Sequence, residues 1–204
     1  MQQKTQSGFT LIEVIVAIAV VAILAGIITP SVIKHLDDSK RARAQNDCQV
    51  IGATLGSFYK DTGIWPNMDS SGATGAAALD LLVGDGNTPT AAGAAANWAL
   101  ATTAANADLL AYHLISNRPQ NQTANRYNQT IGEFRWRGPY QTTFPSDPWG
   151  NRYAVNAGNL FSANNAVWVI SAGPDGVVNT AFNQAIPNTG TLSLTGDDIG
   201  FRIR

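Results

Sequence analysis

The sequence points to an α+β protein: a long N-terminal helix, its first half able to span a membrane, packed through its second half on a small antiparallel β-sheet. Three observations carry this. Phe9 to Ile33 is a 25-residue apolar run containing one charge, Glu13. Cys48, Ile51, Leu55 and Phe58 then recur at steps of three and four, which places them on one helical face. Beyond about residue 132, short apolar runs alternate with Gly and Pro, as strands alternate with turns.

A helix rises 1.5 Å per residue, so about 20 apolar residues cross a bilayer core of roughly 30 Å, and residues 9–33 are long enough. No other stretch of the 204 residues approaches that length. Lys4 precedes the run, and Lys34, Lys40, Arg41 and Arg43 follow it mixed with Asp37 and Asp38, so counting charges does not settle the orientation. A carboxylate inside a spanning helix costs about 2.5–3.5 kcal/mol on insertion scales, which makes Glu13 a functional candidate. Gly26 and Pro30 interrupt the same segment; proline has no amide hydrogen to bond back to residue 26, so a kink or local unwinding is expected there.

Residues 34–62 continue the helix in amphipathic form, with Gly63 as its expected C-terminal cap and Ile64-Trp65-Pro66 unable to extend it. Cys48, at the head of the apolar stripe, reads as a small buried hydrophobe. Residues 63–131 form an Ala/Thr/Asn-rich segment poor in charge, where Ala76 to Val83 and Ala94 to Ile115 are candidate helices and His113 is expected at the surface or hydrogen-bonded. In the last part, residues 132–204, the runs Tyr153-Ala154-Val155 and Ala166 to Ile170 suit strands, one sheet face covering the Cys48 to Phe58 stripe.

Composition excludes several functions. With 13 basic against 14 acidic residues the chain lacks the concentrated basic face that a nucleic-acid binder needs, and no nucleic-acid partner is expected. Its one cysteine closes no intramolecular disulfide, and two histidines leave little for a His-rich centre. Ser171 has no base or orienting partner legible in sequence, and no phosphate loop or zinc spacing is present, so no enzyme is expected.

Gly8 followed by Phe9-Thr10-Leu11-Ile12-Glu13 and the apolar run resembles the N-terminus of the type IV pilin and type II secretion pseudopilin superfamily. The resemblance implies that residues 1–8 are a leader cut by a prepilin peptidase between Gly8 and Phe9, and that the Phe9 amine is methylated. It further implies that Glu13 pairs with the amine of a neighbouring subunit in a filament core; Pro30 stands where these proteins commonly carry a proline.

Three more stretches narrow the branch. Tyr59 to Pro66, Trp136-Arg137-Gly138-Pro139-Tyr140 and Asp147-Pro148-Trp149-Gly150-Asn151-Arg152-Tyr153 are similar to motifs of the G-type major pseudopilin of type II secretion, although the 67–130 segment is longer than in those proteins as a group. The implied fold is pilin-like with a calcium-binding C-terminal loop. Calcium takes six to eight hard oxygens, which carboxylates and carbonyls of a Gly-rich loop supply. Carried over from the family, the ligands are Asp175 and Asp198, with Asp197 and the carbonyls of Ala172 and Val178 as further candidates; the calcium would supply the cross-linking that the absent disulfide cannot.

The implied function is that of a structural subunit of a periplasmic pseudopilus that drives protein secretion. Implied partners are further copies of the chain, minor pseudopilins, an inner-membrane assembly platform and the peptidase. The expected location is the inner membrane, single-pass, with a periplasmic C-terminal domain. Two alternatives stay open: a type IV or minor pilin of a surface filament used in adhesion or motility, and an uncleaved, membrane-anchored binding module.

Overall fold

The computed structural model describes residues 8–75, 78–102, 104–124, 126–130, 132–187 and 192–204. The expected leader, apart from Gly8, lies outside the described residues. Two compact units are formed, Met1–Lys40 and Arg41–Arg204.

Helix α1 runs from Leu11 to Thr62. Within the first unit its apolar side chains are exposed all round, Ile12, Val16, Ile23 and Ile27 among them, as expected of a surface made for lipid or for other helices. The helix is long and apolar enough there to cross a membrane. The helix is continuous through Pro30, so the unwinding considered from the sequence is absent. Just before the proline, the Thr29 hydroxyl donates to the Ala25 carbonyl at 2.6 Å.

In the second unit α1 ends where glycine allows it. Gly63 takes φ 73° and its amide donates to the Tyr59 carbonyl at 2.8 Å, closing the last turn in the left-handed conformation that glycine adopts without a Cβ penalty. Ala44, Cys48, Ile51, Leu55 and Phe58 are all buried, which bears out the predicted stripe.

The stripe packs on a five-stranded sheet ordered β3-β1-β4-β5-β7, from strands β1 (Leu81–Val83), β3 (Ala107–Leu109), β4 (Ala154–Val155), β5 (Trp168–Ser171) and β7 (Ile199–Arg202). The β4-β5-β7 region is antiparallel as expected, but β1 pairs with β3 in parallel, so the sheet is mixed. The parallel edge arises because the connection from β1 to β3 crosses over, through strand β2 (Thr90–Ala91) and a 3₁₀ helix at Gly93–Ala99. The helix expected from Ala94 to Ile115 is therefore replaced by that 3₁₀ turn, by β3 and by a short α2 (Leu110–Leu114). Residues 81–83 of the other expected helix form β1, while Ala76 and Ala77 lie outside the described residues. Local alanine propensity is a weak prior, and pairing with the sheet overrides it.

Alternation along the strands gives the sheet two apolar faces. Leu82, Val155, Val167 and Val169 join the helix stripe in one core, whereas Leu81, Ala154, Trp168 and Ile170 join Trp98 and Phe182 in a second. Trp98 is fully buried and its indole N–H donates to the Thr180 carbonyl at 2.9 Å. The Ala-rich segment thus roofs the face opposite α1. Arg152, itself buried, reaches beneath it and donates to the carbonyls of Trp98 and Leu100.

The motif residues close the first core. Phe58 meets Tyr127 and Tyr140 edge-on, at ring-centroid separations of 4.9 and 5.5 Å. The Trp136 indole donates to the His113 carbonyl and the Tyr140 amide to that of Leu114, so the Trp-x-Gly-Pro-Tyr stretch straps α2 over the end of α1.

Candidate functional site: the helix start and the C-terminal oxygen loop

The N-terminal candidates lie in the first unit. The Glu13 carboxylate accepts from the Thr10 amide at 2.8 Å and the Thr10 hydroxyl at 2.9 Å, while the Glu13 amide faces that hydroxyl at 3.4 Å. Thr10-Leu11-Ile12-Glu13 is therefore a capping box, satisfying amides that the first turn leaves unpaired. The Thr-x-x-Glu spacing before an apolar run is the sequence signal for such a cap. Glu13 is exposed, so capping and pairing with an amine are compatible. Phe9 is 89% exposed, and Gly8 beside it is open to solvent.

The C-terminal candidates lie in the second unit. Ser171, the last residue of β5, leads into Ala172-Gly173-Pro174-Asp175-Gly176, and strand β6 (Val177–Val178) follows. Gly173 has φ 68°, and a Cβ there would overlap the Asp197 carbonyl oxygen, so this loop and the 196–198 turn approach as closely as backbone allows. Strand β6 pairs in parallel with β2, and the Thr90 amide donates to the Gly176 carbonyl at 3.0 Å, so the long segment also braces the loop.

Asp198 is the buried carboxylate of the set. Its Oδ2 accepts from the amides of Asn179 and Thr180 at 3.0 and 2.7 Å, whereas its Oδ1 is buried without a partner. Burial pushes the Asp198 carboxyl above the usual carboxylate range, against the opposing pull of those hydrogen bonds. Asp197 is half-buried, and its Oδ2 lies 3.4 Å from the Asp175 amide. Asp175 is exposed, its Oδ1 accepting from the Val177 amide at 2.8 Å; Ala172 and Val178 are buried.

An orphaned buried carboxylate oxygen beside a Gly-rich loop fits a hard cation such as calcium. Among the described residues, however, no three His, Cys, Asp or Glu side chains converge. A bound ion would thus depend on Asp198, Asp175 and loop carbonyls together.

Two functional supports escaped the sequence reading. Ser171, for which no partner is legible in sequence, donates to Asp147 Oδ2 at 2.6 Å, and Asp147 Oδ1 accepts from the amides of Trp149 and Asn151. The aspartate of Asp-Pro-Trp-Gly therefore anchors the start of the oxygen loop; the distance of 24 residues hid this.

Comparisons with known proteins match the N-terminal segment and a central stretch of the chain. Residues 3–29 match the prokaryotic N-terminal methylation motif, and residues 87–189, half of the chain, match the family described as Type II secretion system (T2SS), protein G. The chain is 37% identical over 67 residues to the type II secretion system core protein G of Pseudomonas aeruginosa, covering 33% of this chain and 47% of that protein. It is 26% identical over 180 residues to the core protein G of Aeromonas hydrophila, covering 88% and 91%. The fimbrial protein EcpC of Eikenella corrodens is 35% identical over 66 residues, covering 32% and 43%. No solved structure matches.

Proposed function

Because this chain belongs to the type II secretion system protein G family, we propose that it is the structural subunit of a pseudopilus, held in the inner membrane and assembled into a periplasmic fibre that drives protein secretion. The observation that carries this reading is the pairing of an N-methylation motif with a protein G domain on one chain. The fimbrial likeness covers only 32% of the chain, whereas the core protein G likeness spans 88%, which favours the pseudopilus over a surface pilus.

Each part has a physical task. A prepilin peptidase cuts between Gly8 and Phe9, and the Phe9 amine is methylated. The exposed apolar half of α1 sits in lipid before assembly and against other copies afterwards, so subunits exchange one apolar environment for another. In that environment Glu13 and a neighbour's terminal amine neutralise each other and set the register, because an unpaired charge among apolar helices is costly. An assembly platform in the inner membrane adds subunits, and minor pseudopilins complete the fibre. The second unit faces the periplasm and performs no chemistry.

Calcium is proposed at the C-terminal loop. Asp198 and Asp175 would hold it, with Asp197 and the carbonyls of Ala172 and Val178 as further donors. The ion would supply a cross-link between the 173–176 loop and the turn before β7.

The deciding experiment is the mass of the N-terminal peptide from native membranes, together with filament formation by Glu13→Leu. A peptide beginning at methylated Phe9, and a Glu13→Leu chain that is cleaved but does not polymerise, are expected. A chain beginning at Met1 in cells holding the peptidase, or normal filaments from Glu13→Leu, would overturn the reading.

A further inference from the structure

The long segment contains a buried polar chain that fibre assembly does not use. His113 is fully buried, with Asp108 Oδ2 at 2.9 Å from Nε2 and the Tyr127 hydroxyl at 2.6 Å from Nδ1. The Tyr127 oxygen also accepts from the Met68 amide at 3.3 Å. An ionised carboxylate only accepts, so the contact at Nε2 is a donation from the imidazole to Asp108.

Asp108 is only 3% exposed, yet it lines a cleft of about 390 Å³ together with Thr102, Tyr112, Gln120 and Asn121. That volume lies within the ~300–1,000 Å³ of small-ligand sites. Among the described residues no lysine or arginine forms an ion pair with Asp108, whose close side-chain neighbour is the His113 imidazole. The Asp108 carboxylate is thus held at the cleft wall by hydrogen bonds from His113 and the Gln120 amide.

The wall beside Asp108 is strained. Gln120 and Asn121 both take positive φ, 52° and 55°, a conformation costing on the order of 1–3 kcal/mol for residues other than glycine. Gln120 is held there from three directions. Its amide donates to Asp108 Oδ2 at 2.5 Å, its side-chain nitrogen to the Ala105 carbonyl at 3.0 Å, and its side-chain oxygen accepts from the Ser70 amide at 2.7 Å. Such strain persists where the surroundings over-determine it, here at the edge of a concave surface with a buried carboxylate. Aromatic face, carboxylate and carboxamide together suit an organic cation.

We infer that the cleft between Asp108, Tyr112 and the 119–121 turn binds an organic ammonium group, presented by a small free amine or by a lysine side chain. Asp108 supplies the counter-charge, Tyr112 an aromatic face, and Asn121 a carboxamide.

The test is a titration of the full chain in detergent micelles, followed by NMR, with butylammonium chloride against n-butanol and with acetyl-Gly-Lys-Gly-amide against its glutamine counterpart. Saturable binding of butylammonium without binding of n-butanol is expected. Tighter binding of the lysine peptide would assign the source to a protein side chain, and binding of the amine alone to a small metabolite. Asp108→Asn keeps an oxygen for both internal donors, since both reach Oδ2, and is expected to weaken butylammonium binding about tenfold or more while folding normally. Tyr112→Leu, which breaks none of these bonds, should weaken it several-fold. Absence of saturable binding, equal binding of n-butanol, or undiminished binding by both variants would overturn the inference.

Discussion

The Ser171 hydroxyl donates to Asp147 Oδ2 at 2.6 Å, joining the end of β5 to the Asp-Pro-Trp-Gly turn 24 residues earlier. Ser171 Oγ also lies 3.2 Å from the Gly173 amide, so the same hydroxyl ties down the entrance of the oxygen loop. One buried carboxylate therefore serves a turn, a strand end and a loop.

Removing that carboxylate leaves three donors short of an acceptor. Asp147→Ala is expected to cost about 2–4 kcal/mol and Ser171→Ala about 1 kcal/mol, at ~1 kcal/mol or more for each bond lost. In a chain of this size each kcal/mol moves the melting temperature by roughly 2–4 °C. Equal melting of Asp147→Ala and the parent chain would show that the turn holds itself.

Gly52 on α1 faces the ring of Phe201, where a Cβ would lie 2.7 Å from a ring carbon. Gly52→Val forces helix and sheet apart and should cost about 1–3 kcal/mol. Phe201→Ala in the same chain removes the ring, and a double variant less stable than the sum of the two single effects would contradict the overlap.

Burial pushes the Cys48 thiol well above its ordinary value of 9.0, with Asp47 and Asp147 acting in the same direction. Native protein should thus resist iodoacetamide at pH 8–9 and react fully once unfolded. The linkage has a definite sign. Above about pH 9 the unfolded chain releases this proton while the folded chain keeps it, so stability falls as pH rises. Cys48→Ala should flatten that fall, and alkylation of the native chain at the unfolded rate would disprove burial.

Calcium binding predicts a melting temperature that depends on the ion. At a hundredfold excess over its dissociation constant, a ligand confined to the folded state adds about 2.7 kcal/mol. Melting should rise with calcium, return with chelator, and lose that response in Asp198→Asn. Identical melting curves in calcium and in chelator would remove the ion from the fold.

Trp98→Ala tests the second core. A buried tryptophan truncated to alanine costs about 3–5 kcal/mol. The loss should appear first as faster amide exchange in β2 and the 93–99 turn, with the α1 stripe protected for longer. Uniform loss of protection over both cores would mean that the two faces of the sheet do not open separately.

The apolar run, Glu13, the Cys48 to Phe58 stripe and the Gly63 cap were legible because each is a local pattern, written at helical spacing or in neighbouring residues. The Asp-Pro-Trp-Gly and Trp-x-Gly-Pro-Tyr stretches were visible for the same reason. The 67–130 segment was not, since its Ala-rich composition suits helices while its actual form depends on pairing: Leu81 with Ala107 in parallel, and Thr90 with Val177. Neither partner can be read from its own neighbourhood. The Asp108–His113–Tyr127 chain, the Ser171 to Asp147 bond and the orphaned oxygen of Asp198 belong to the same class. Sequence determined the helix, its apolar surface and its processing signal, because periodicity and spacing act within a few residues. Only the tertiary structure decided which buried polar groups found partners, because those bonds form across tens of residues once the sheet has brought its loops together.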